Sequence, residues 1–270
     1  MIYAVLIILG LCFGSFVNAL VWRVRHNETS KKKISIINDR SMCPRCKHTL
    51  GAADLVPLLS WLFLKGKCRY CGKPISPQYP LVELSMTLVF VLSYVYWPAA
   101  LTGGQTALFA AWLAAGVGLM ALLVYDLKWM LLPNRIIYPT LLAAGAGNII
   151  YLAGFAPDKV HFLLYWALSV VIASGVFWAL YSVSDGKWIG FGDVRLGLIT
   201  GTLLQTPGKS ILMIFLASLA GAAVSLPLIA VGKSRLSSKI PYGPFLIGAT
   251  FICLLFGQEI LDWYKHLAGY

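Results

Sequence analysis

The chain is 270 residues long, 59% of them hydrophobic and only 12% charged, with a formal net charge of +12. Soluble domains average roughly 25% charged residues and about 45–50% apolar ones. This composition therefore excludes a soluble enzyme, a disordered chain and a free DNA-binding module, and it predicts an all-α protein that crosses a membrane several times.

Uncharged apolar stretches predict about eight transmembrane helices, because a bilayer core requires about 20 apolar residues per helix. The first stretch ends before Arg23, and Pro98 and a Gly-Gly pair divide the long stretch 84–125 into two spans. In chain order the predicted spans are 1–22, 81–101, 105–125, 136–157, 162–184, a short one that begins at 196, 209–232 and 240–258.

Basic residues set the predicted orientation, since loops rich in Lys and Arg stay in the cytoplasm. Nineteen of the 22 Lys and Arg residues lie in four loops, 23–80, 126–135, 185–195 and 233–239. These loops are therefore expected to be cytoplasmic, with both termini outside.

The loop 23–80 carries two Cys-x-x-Cys pairs, Cys43 with Cys46 and Cys68 with Cys71. Pairs at this separation can place four thiolates around one Zn²⁺ ion, and disulfides are rare in the reducing cytoplasm. Four protein ligands leave no position for water, so the predicted zinc is structural. The basic surface of the loop is expected to meet anionic membrane lipids and no nucleic acid.

Four of the ten acidic residues lie at predicted cytoplasmic ends of spans, where ionisable groups are costly and often functional. They are Glu83, Asp126, Asp185 and Asp193. Asp193 follows Gly190-Phe191-Gly192, and the two glycines allow non-helical backbone at membrane depth and close approach by a substrate.

Two carboxylates from different helices can share one proton. The ionised partner would take a proton from an attacking water, and the protonated partner would donate to the developing oxyanion. The same positions also suit two helix-end acids that only reach the interfacial water. The spacing alone leaves both interpretations of Asp126 and Asp193 open.

Short motifs follow one another along nearly the whole chain: Gly14-Ser15-Phe16-Val17-Asn18, Cys43-Pro44-x-Cys46, Gly66-Lys67-Cys68-Arg69-x-Cys71, Tyr79-Pro80-Leu81-Val82-Glu83, Asp126 with Leu132-Pro133-Asn134, Gly190-x-Gly192-Asp193 and Ile240-Pro241-Tyr242-Gly243-Pro244-Phe245. In this order, on eight predicted spans, they resemble the type IV prepilin leader peptidases. These are bacterial GxGD-type aspartyl proteases, many of which are also N-methyltransferases.

The resemblance implies that Asp126 and Asp193 are the catalytic pair of an aspartic endopeptidase. Such an enzyme would cut the basic leader from type IV prepilins or pseudopilins at the cytoplasmic face of the bacterial inner membrane. It would then methylate the new N-terminus with S-adenosylmethionine, whose binding residues the sequence does not identify. The expected parts are a first transmembrane helix (1–22), a basic zinc-binding loop domain (23–80) and a membrane-embedded peptidase domain (81–270).

Supporting roles are expected for Gly190, Gly192, Glu83 and Asp185. Glu83 would contact the substrate amine or the cofactor, unless it is only a helix-end acid. Asp185 would join an acidic cluster that attracts the basic leader, unless it only caps its loop. An alternative from another class is a membrane scaffold or transport component whose zinc loop docks a cytoplasmic partner, in which both catalytic aspartates would be dispensable.

Overall fold

A computed structural model describes residues 1–31, 33–36, 38–230 and 240–269, without the side chains of 228–230. Within these ranges the fold is all-α, as predicted, with one short 3₁₀-helix (Ala52–Asp54), two isolated β-bridges and no strand. The α-helices in chain order are α1 (Ile2–Thr29), α2 (Leu59–Phe63), α3 (Gln78–Val95), α4 (Gly104–Trp129), α5 (Asn134–Gly154), α6 (Lys159–Val183), α7 (Phe191–Leu204), α8 (Pro207–Ala230) and α9 (Gly243–Leu267).

Seven helices in the described ranges are long and apolar enough to cross a bilayer, namely all except α2 and α7. Each corresponds to a predicted span. The predicted short sixth span corresponds to α7, which has 14 residues and is therefore about 21 Å long. That is well short of the roughly 30 Å of a hydrocarbon core, whereas α3, the shortest of the other seven with 18 residues, is about 27 Å long. The placement of both termini outside stays a prediction.

The chain forms two compact units, Met1–Val95 and Tyr96–Tyr270. The first contains α1, the cysteine loop with α2, and α3. The second contains α4 to α9. The three predicted parts stay predictions, but the first unit combines α3 with α1 and the loop, because α3 packs along α1.

Glycines on α1 bring α1 and α3 into close antiparallel contact. A Cβ atom at Gly10 would lie 2.5 Å from the Cα of Thr87, and one at Gly14 would lie 2.5 Å from the Cα of Glu83. Small residues four positions apart allow such backbone contact between membrane helices. This packing fixes where Glu83 lies within the first unit.

In the second unit, α7 is held between α6 and α5. A Cβ atom at Gly197 would lie 2.6 Å from the carbonyl oxygen of Ala173, and Gly201 is packed as closely against α6. On the other side, Asn148 of α5 donates a hydrogen bond of 2.8 Å to the carbonyl of Thr202. These contacts fix α7, and with it the acid in its first turn.

Candidate active site and metal centre

Asp126 lies in the last turn of α4, and only 5% of the residue is exposed. The helix ends four residues later at Met130, which has a left-handed conformation (φ 53°) and whose N–H donates to the carbonyl of Asp126. The carboxylate accepts a hydrogen bond from the backbone N–H of Gly243, the first residue of α9. Two helices distant in sequence therefore position this acid.

Asp193 lies in the first turn of α7, where Gly190 is the N-cap residue. The two residues bond reciprocally: the N–H of Asp193 donates to the carbonyl of Gly190 at 3.0 Å, and the N–H of Gly190 donates to the carboxylate. The bond to the carboxylate is the half of a capping box that an acid at the third helical position supplies, and the backbone carbonyl of Gly190 takes the place of an N-cap side chain in the other half. Gly190 has the expected non-helical backbone (ψ 148°), whereas Gly192 is helical and packs against Leu132, 3.1 Å from where its Cβ would be.

The structure brings the two acids together, since the carboxylates of Asp126 and Asp193 interact electrostatically. Each also lies at the positive end of a helix, Asp193 at that of α7 and Asp126 at that of α9, and helix N-termini stabilise negative charge. Two adjacent carboxylates resist carrying two charges at once and favour one shared proton. The arrangement can therefore supply one general base and one general acid.

Two further residues border this pair, and their sequence motif predicted no role for either of them. A Cβ atom at Gly243 would lie 2.6 Å from Oδ2 of Asp126, so a side chain does not fit there. Tyr242 interacts electrostatically with Asp193, and its hydroxyl lies 3.3 Å from Oγ of Ser218. The sequence feature that marks them is the Pro-Tyr-Gly-Pro motif. This motif predicts the start of a helix, but it does not predict which acid the start of that helix contacts.

The other two predicted acids have different surroundings. Glu83 is 5% exposed, and its Oε2 accepts a hydrogen bond of 2.7 Å from the N–H of Leu58, while the hydroxyl of Ser15 donates to the same carboxylate. Asp185 lies in an exposed turn with φ 49°, before Gly186. The expected roles of both acids stay predictions.

The four cysteines of the loop converge in the first unit. The sulfur atoms of Cys43, Cys46, Cys68 and Cys71 all lie within 4.8 Å of one another, and those of Cys43 and Cys71 are 4.0 Å apart. Zn–S bonds of about 2.3 Å in a tetrahedron require sulfur atoms roughly 3.8 Å apart. The cluster therefore fits a four-coordinate metal ion with little rearrangement.

The two Cys-x-x-Cys segments are copies of one backbone shape, 25 residues apart. In each, the N–H of the first cysteine, Cys43 or Cys68, donates to the carbonyl five residues later at 2.9 Å. The residue after the second cysteine is left-handed, with φ 61° at Lys47 and 64° at Gly72. The sequence obscures this repeat because Lys47 occupies a position that favours glycine.

The thiols differ in acidity. Desolvation acts to raise the pKa of Cys43, but the backbone N–H groups of Cys46 and Arg45 donate to its sulfur and lower the pKa to about 7. The N–H of Lys73 acts to lower the pKa of Cys71, but burial and the other three sulfurs raise it to about 11. Four thiolates so close together need a cation, which a divalent metal supplies.

Side chains also join the two segments. Asp54 accepts hydrogen bonds from Nε of Arg69 at 2.7 Å, from the hydroxyl of Tyr70 at 3.0 Å and from the N–H of Gly51 at 3.1 Å. Desolvation acts to raise the pKa of Asp54, but these hydrogen bonds lower it. His48 stacks on Tyr70, with 3.6 Å between ring centroids. The second segment is thus fixed to the chain that connects it to the first.

Two family models match the chain in succession. The Bacterial Peptidase A24 N-terminal domain matches residues 8–97, and the Type IV leader peptidase family matches residues 113–226. A relative from Aeromonas salmonicida (strain A449), named Prepilin leader peptidase/N-methyltransferase, is 33% identical over 97% of this chain and 93% of its own length. The chain belongs to the type IV leader peptidase family.

Other relatives of the same name match the chain as completely. One from Pseudomonas aeruginosa is 31% identical over 98% of this chain and 93% of its own length. One from Bacillus subtilis (strain 168) is 29% identical over 98% of both. No solved structure matches the chain. With seven apolar helices, this member of the leader peptidase family is an integral membrane protein.

The two family models divide the site features between them. The N-terminal domain model covers the four cysteines and Glu83, and the leader peptidase model covers Asp126 and Asp193 but ends before Gly243. A cavity of about 370 Å³ in the second unit is separate from the carboxylates. It lies at the opposite ends of α4 and α7, and its lining includes Gln105 and Gln205.

Proposed function

We propose that the protein is an aspartic endopeptidase that removes the leader peptide from type IV prepilins or pseudopilins, with Asp126 and Asp193 as its catalytic pair. The observation that carries the proposal is the electrostatic interaction between these two carboxylates, which lie 67 residues apart in sequence on different helices. The names of the relatives support prepilin processing. They do not favour the alternative of a zinc-loop scaffold.

In the proposed mechanism, the ionised member of the pair takes a proton from a water molecule, whose oxygen attacks the scissile carbonyl carbon. The protonated member donates to the developing oxyanion. As the carbon–nitrogen bond breaks, a proton passes to the leaving amine, and the pair returns to its singly protonated state. The N–H of Gly243 keeps Asp126 oriented through these steps.

We also propose that the protein methylates the new N-terminus, since the relatives carry that activity in their name. S-adenosylmethionine would supply the methyl group, and Glu83 would hold the substrate amine or the cofactor. The proposed role of zinc is to fold the loop of the first unit, because the four cysteines would occupy all four coordination positions of a tetrahedral ion and leave none for water.

We place the carboxylates at the cytoplasmic face of a bacterial inner membrane, with both termini outside. Basic residues support this orientation: Lys128 follows Asp126 by two positions, and Arg195 follows Asp193 by two. The acidic pair and the exposed Asp185 would attract the basic leader, and the basic loop 23–80 would contact anionic lipids. Nucleic acid is not a proposed partner.

The experiment is cleavage of a model prepilin by purified protein in lipid nanodiscs. Asp126→Asn and Asp193→Asn should each abolish cleavage, because a shared-proton pair needs both members. Asp185→Asn is the comparison variant and should keep most activity, since Asp185 lies in an exposed turn and is proposed to attract the leader without taking part in the chemistry. Robust cleavage by either of the first two variants would contradict the assignment and would revive the scaffold alternative.

A further inference from the structure

Exposed apolar side chains are concentrated in one short segment of the cysteine loop. The segment ends in α2, where Leu59, Leu62 and Phe63 follow the helical spacing of one face. Phe63 is 82% exposed. The large apolar residues that are exposed here are Leu55, Val56, Leu59, Leu62 and Phe63. Apolar surface of this kind marks an interaction site when it is contiguous.

The contacts of Trp61 fix the orientation of α2. Nε1 of Trp61 donates to the carbonyl of Ile75 at 3.3 Å, and the Trp61 ring lies 3.0 Å from where a Cβ atom of Gly66 would be. Trp61 therefore packs on the second cysteine segment. Leu62 and Phe63, which follow it, are exposed and therefore point away from the folded loop.

A hydrogen bond between the segment 55–63 and α3 shows at which level along α3 the segment lies. The N–H of Leu58, just before α2, donates to Oε2 of Glu83 at 2.7 Å. Glu83 itself is buried against α1, but its neighbours on α3, Leu81 and Leu84, are exposed. In an integral membrane protein, exposed leucines on a spanning helix face lipid. The apolar face of α2 is thus held at a height where α3 already contacts the bilayer.

The charges around α2 suit a phospholipid surface. Residues 55–67 contain no acid, and Lys65 and Lys67 follow the helix directly. Both lysines are exposed. Interfacial segments combine an apolar face that enters the boundary of headgroups and acyl chains with Lys or Arg at the level of the phosphates.

We propose that residues 55–63 anchor the zinc-binding loop in the surface of the bilayer, with Leu59, Leu62 and Phe63 inserted below the headgroups and Lys65 and Lys67 on anionic phosphates. The anchor restricts how far the loop can move from the ends of α1 and α3. It is a lipid-binding surface, and it does not depend on the chemistry proposed for Asp126 and Asp193.

The test uses the full-length protein in nanodiscs that contain phosphatidylglycerol and phosphatidylethanolamine. Phe63→p-benzoylphenylalanine is irradiated, and the intact mass is measured. A shift by the mass of one phospholipid is expected. The same photoreactive residue at Leu81 is the positive control, and at Arg45, exposed between Cys43 and Cys46, it should give a much weaker lipid adduct, because a surface contact with headgroups does not place it among acyl chains.

A second variant tests the lysines. Lys65→Gln with Lys67→Gln should reduce the lipid adduct at position 63, and removing phosphatidylglycerol should reduce it in the parent protein but not further in the variant. If position 63 gives no lipid adduct while position 81 gives one, the proposal is wrong. It is also wrong if added prepilin replaces the lipid adduct at position 63 with a pilin adduct, because the apolar face would then bind the substrate. Since cleavage is not measured, failure here is distinct from failure of the proposed peptidase.

Discussion

The backbone N–H of Gly243 donates a hydrogen bond to the carboxylate of Asp126, and the contact leaves no space for a side chain at position 243. The start of α9 therefore positions an acid at the end of α4. The candidate active site therefore includes a third residue, Gly243, which acts through its backbone N–H and has no side chain.

Gly243→Ala should reduce cleavage by about 10- to 100-fold, because misplacement of a catalytic group by about 1 Å costs that much. The new Cβ would lie 2.6 Å from Oδ2 of Asp126. Gly248→Ala on the same helix is the control, since beyond its own stretch of helix nothing lies within 4 Å of its Cβ position. Initial cleavage rates of a model prepilin would decide, and equal rates in the two variants would show that Gly243 does not position Asp126.

Glu83→Gln should keep the loop ordered but lower methyl transfer. Its amide oxygen can still accept the hydrogen bond of Leu58, whereas only a carboxylate stabilises a positively charged amine. Glu83→Ala should lose both the order of the loop and methyl transfer. Amide exchange around residues 55–63 should become faster by roughly tenfold, the factor expected for one lost hydrogen bond. Hydrogen exchange and methylation assays measure the two effects. Full methyl transfer by Glu83→Gln would leave Glu83 with a structural role alone.

Cys43→Ser with Cys46→Ser should remove the metal and make residues 40–80 sensitive to protease. About one zinc per chain is expected in the parent protein, as for a closed four-thiolate site. Elemental analysis and limited proteolysis are the measurements, and Cys12→Ser, on the exposed side of α1, is the control. Retention of zinc by the double variant would place the metal ligands elsewhere.

Cys68→Ser with Cys71→Ser should harm methyl transfer more than cleavage. The cysteines belong to the first compact unit and the carboxylate pair to the second, whose described helices pack through buried apolar side chains. Mass spectrometry of a cut pilin resolves cleaved from cleaved-and-methylated product. Poor cleavage combined with normal methylation of supplied mature pilin would contradict this division.

Sequence patterns were sufficient for the membrane helices, because apolar length is a property of a local stretch. They were insufficient for the ends of α7. The helix ends at Leu204 because the backbone of Gln205 is left-handed, and no charged residue marks that position in the sequence. The helix also begins at Phe191, before the predicted position 196, because the capping pair of Gly190 and Asp193 starts it. Cap geometry of this kind is weakly encoded in hydropathy.

The sequence singled out the two acids and the four cysteines as candidates, because their side-chain chemistry is rare in a membrane protein, and the structure brings each group together; their catalytic and metal-binding roles stay predictions. The contribution of Gly243 was not predictable, because a backbone N–H has no sequence signature and its partner is 117 residues away. The same holds for Leu58, whose positive φ of 60° depends on tertiary contacts. What was missed consists of backbone groups serving distant carboxylates.

The short length of α7 has a consequence for ion leakage. Asp193 lies at one end of the helix and the cavity beside Gln205 at the other, and the helix between them is about 21 Å long. Gly197 and Gly201 bring the backbones of α7 and α6 into contact along this length, which leaves little room for water between the two helices. In a membrane, that contact would limit the passage of protons from the cavity to the acid.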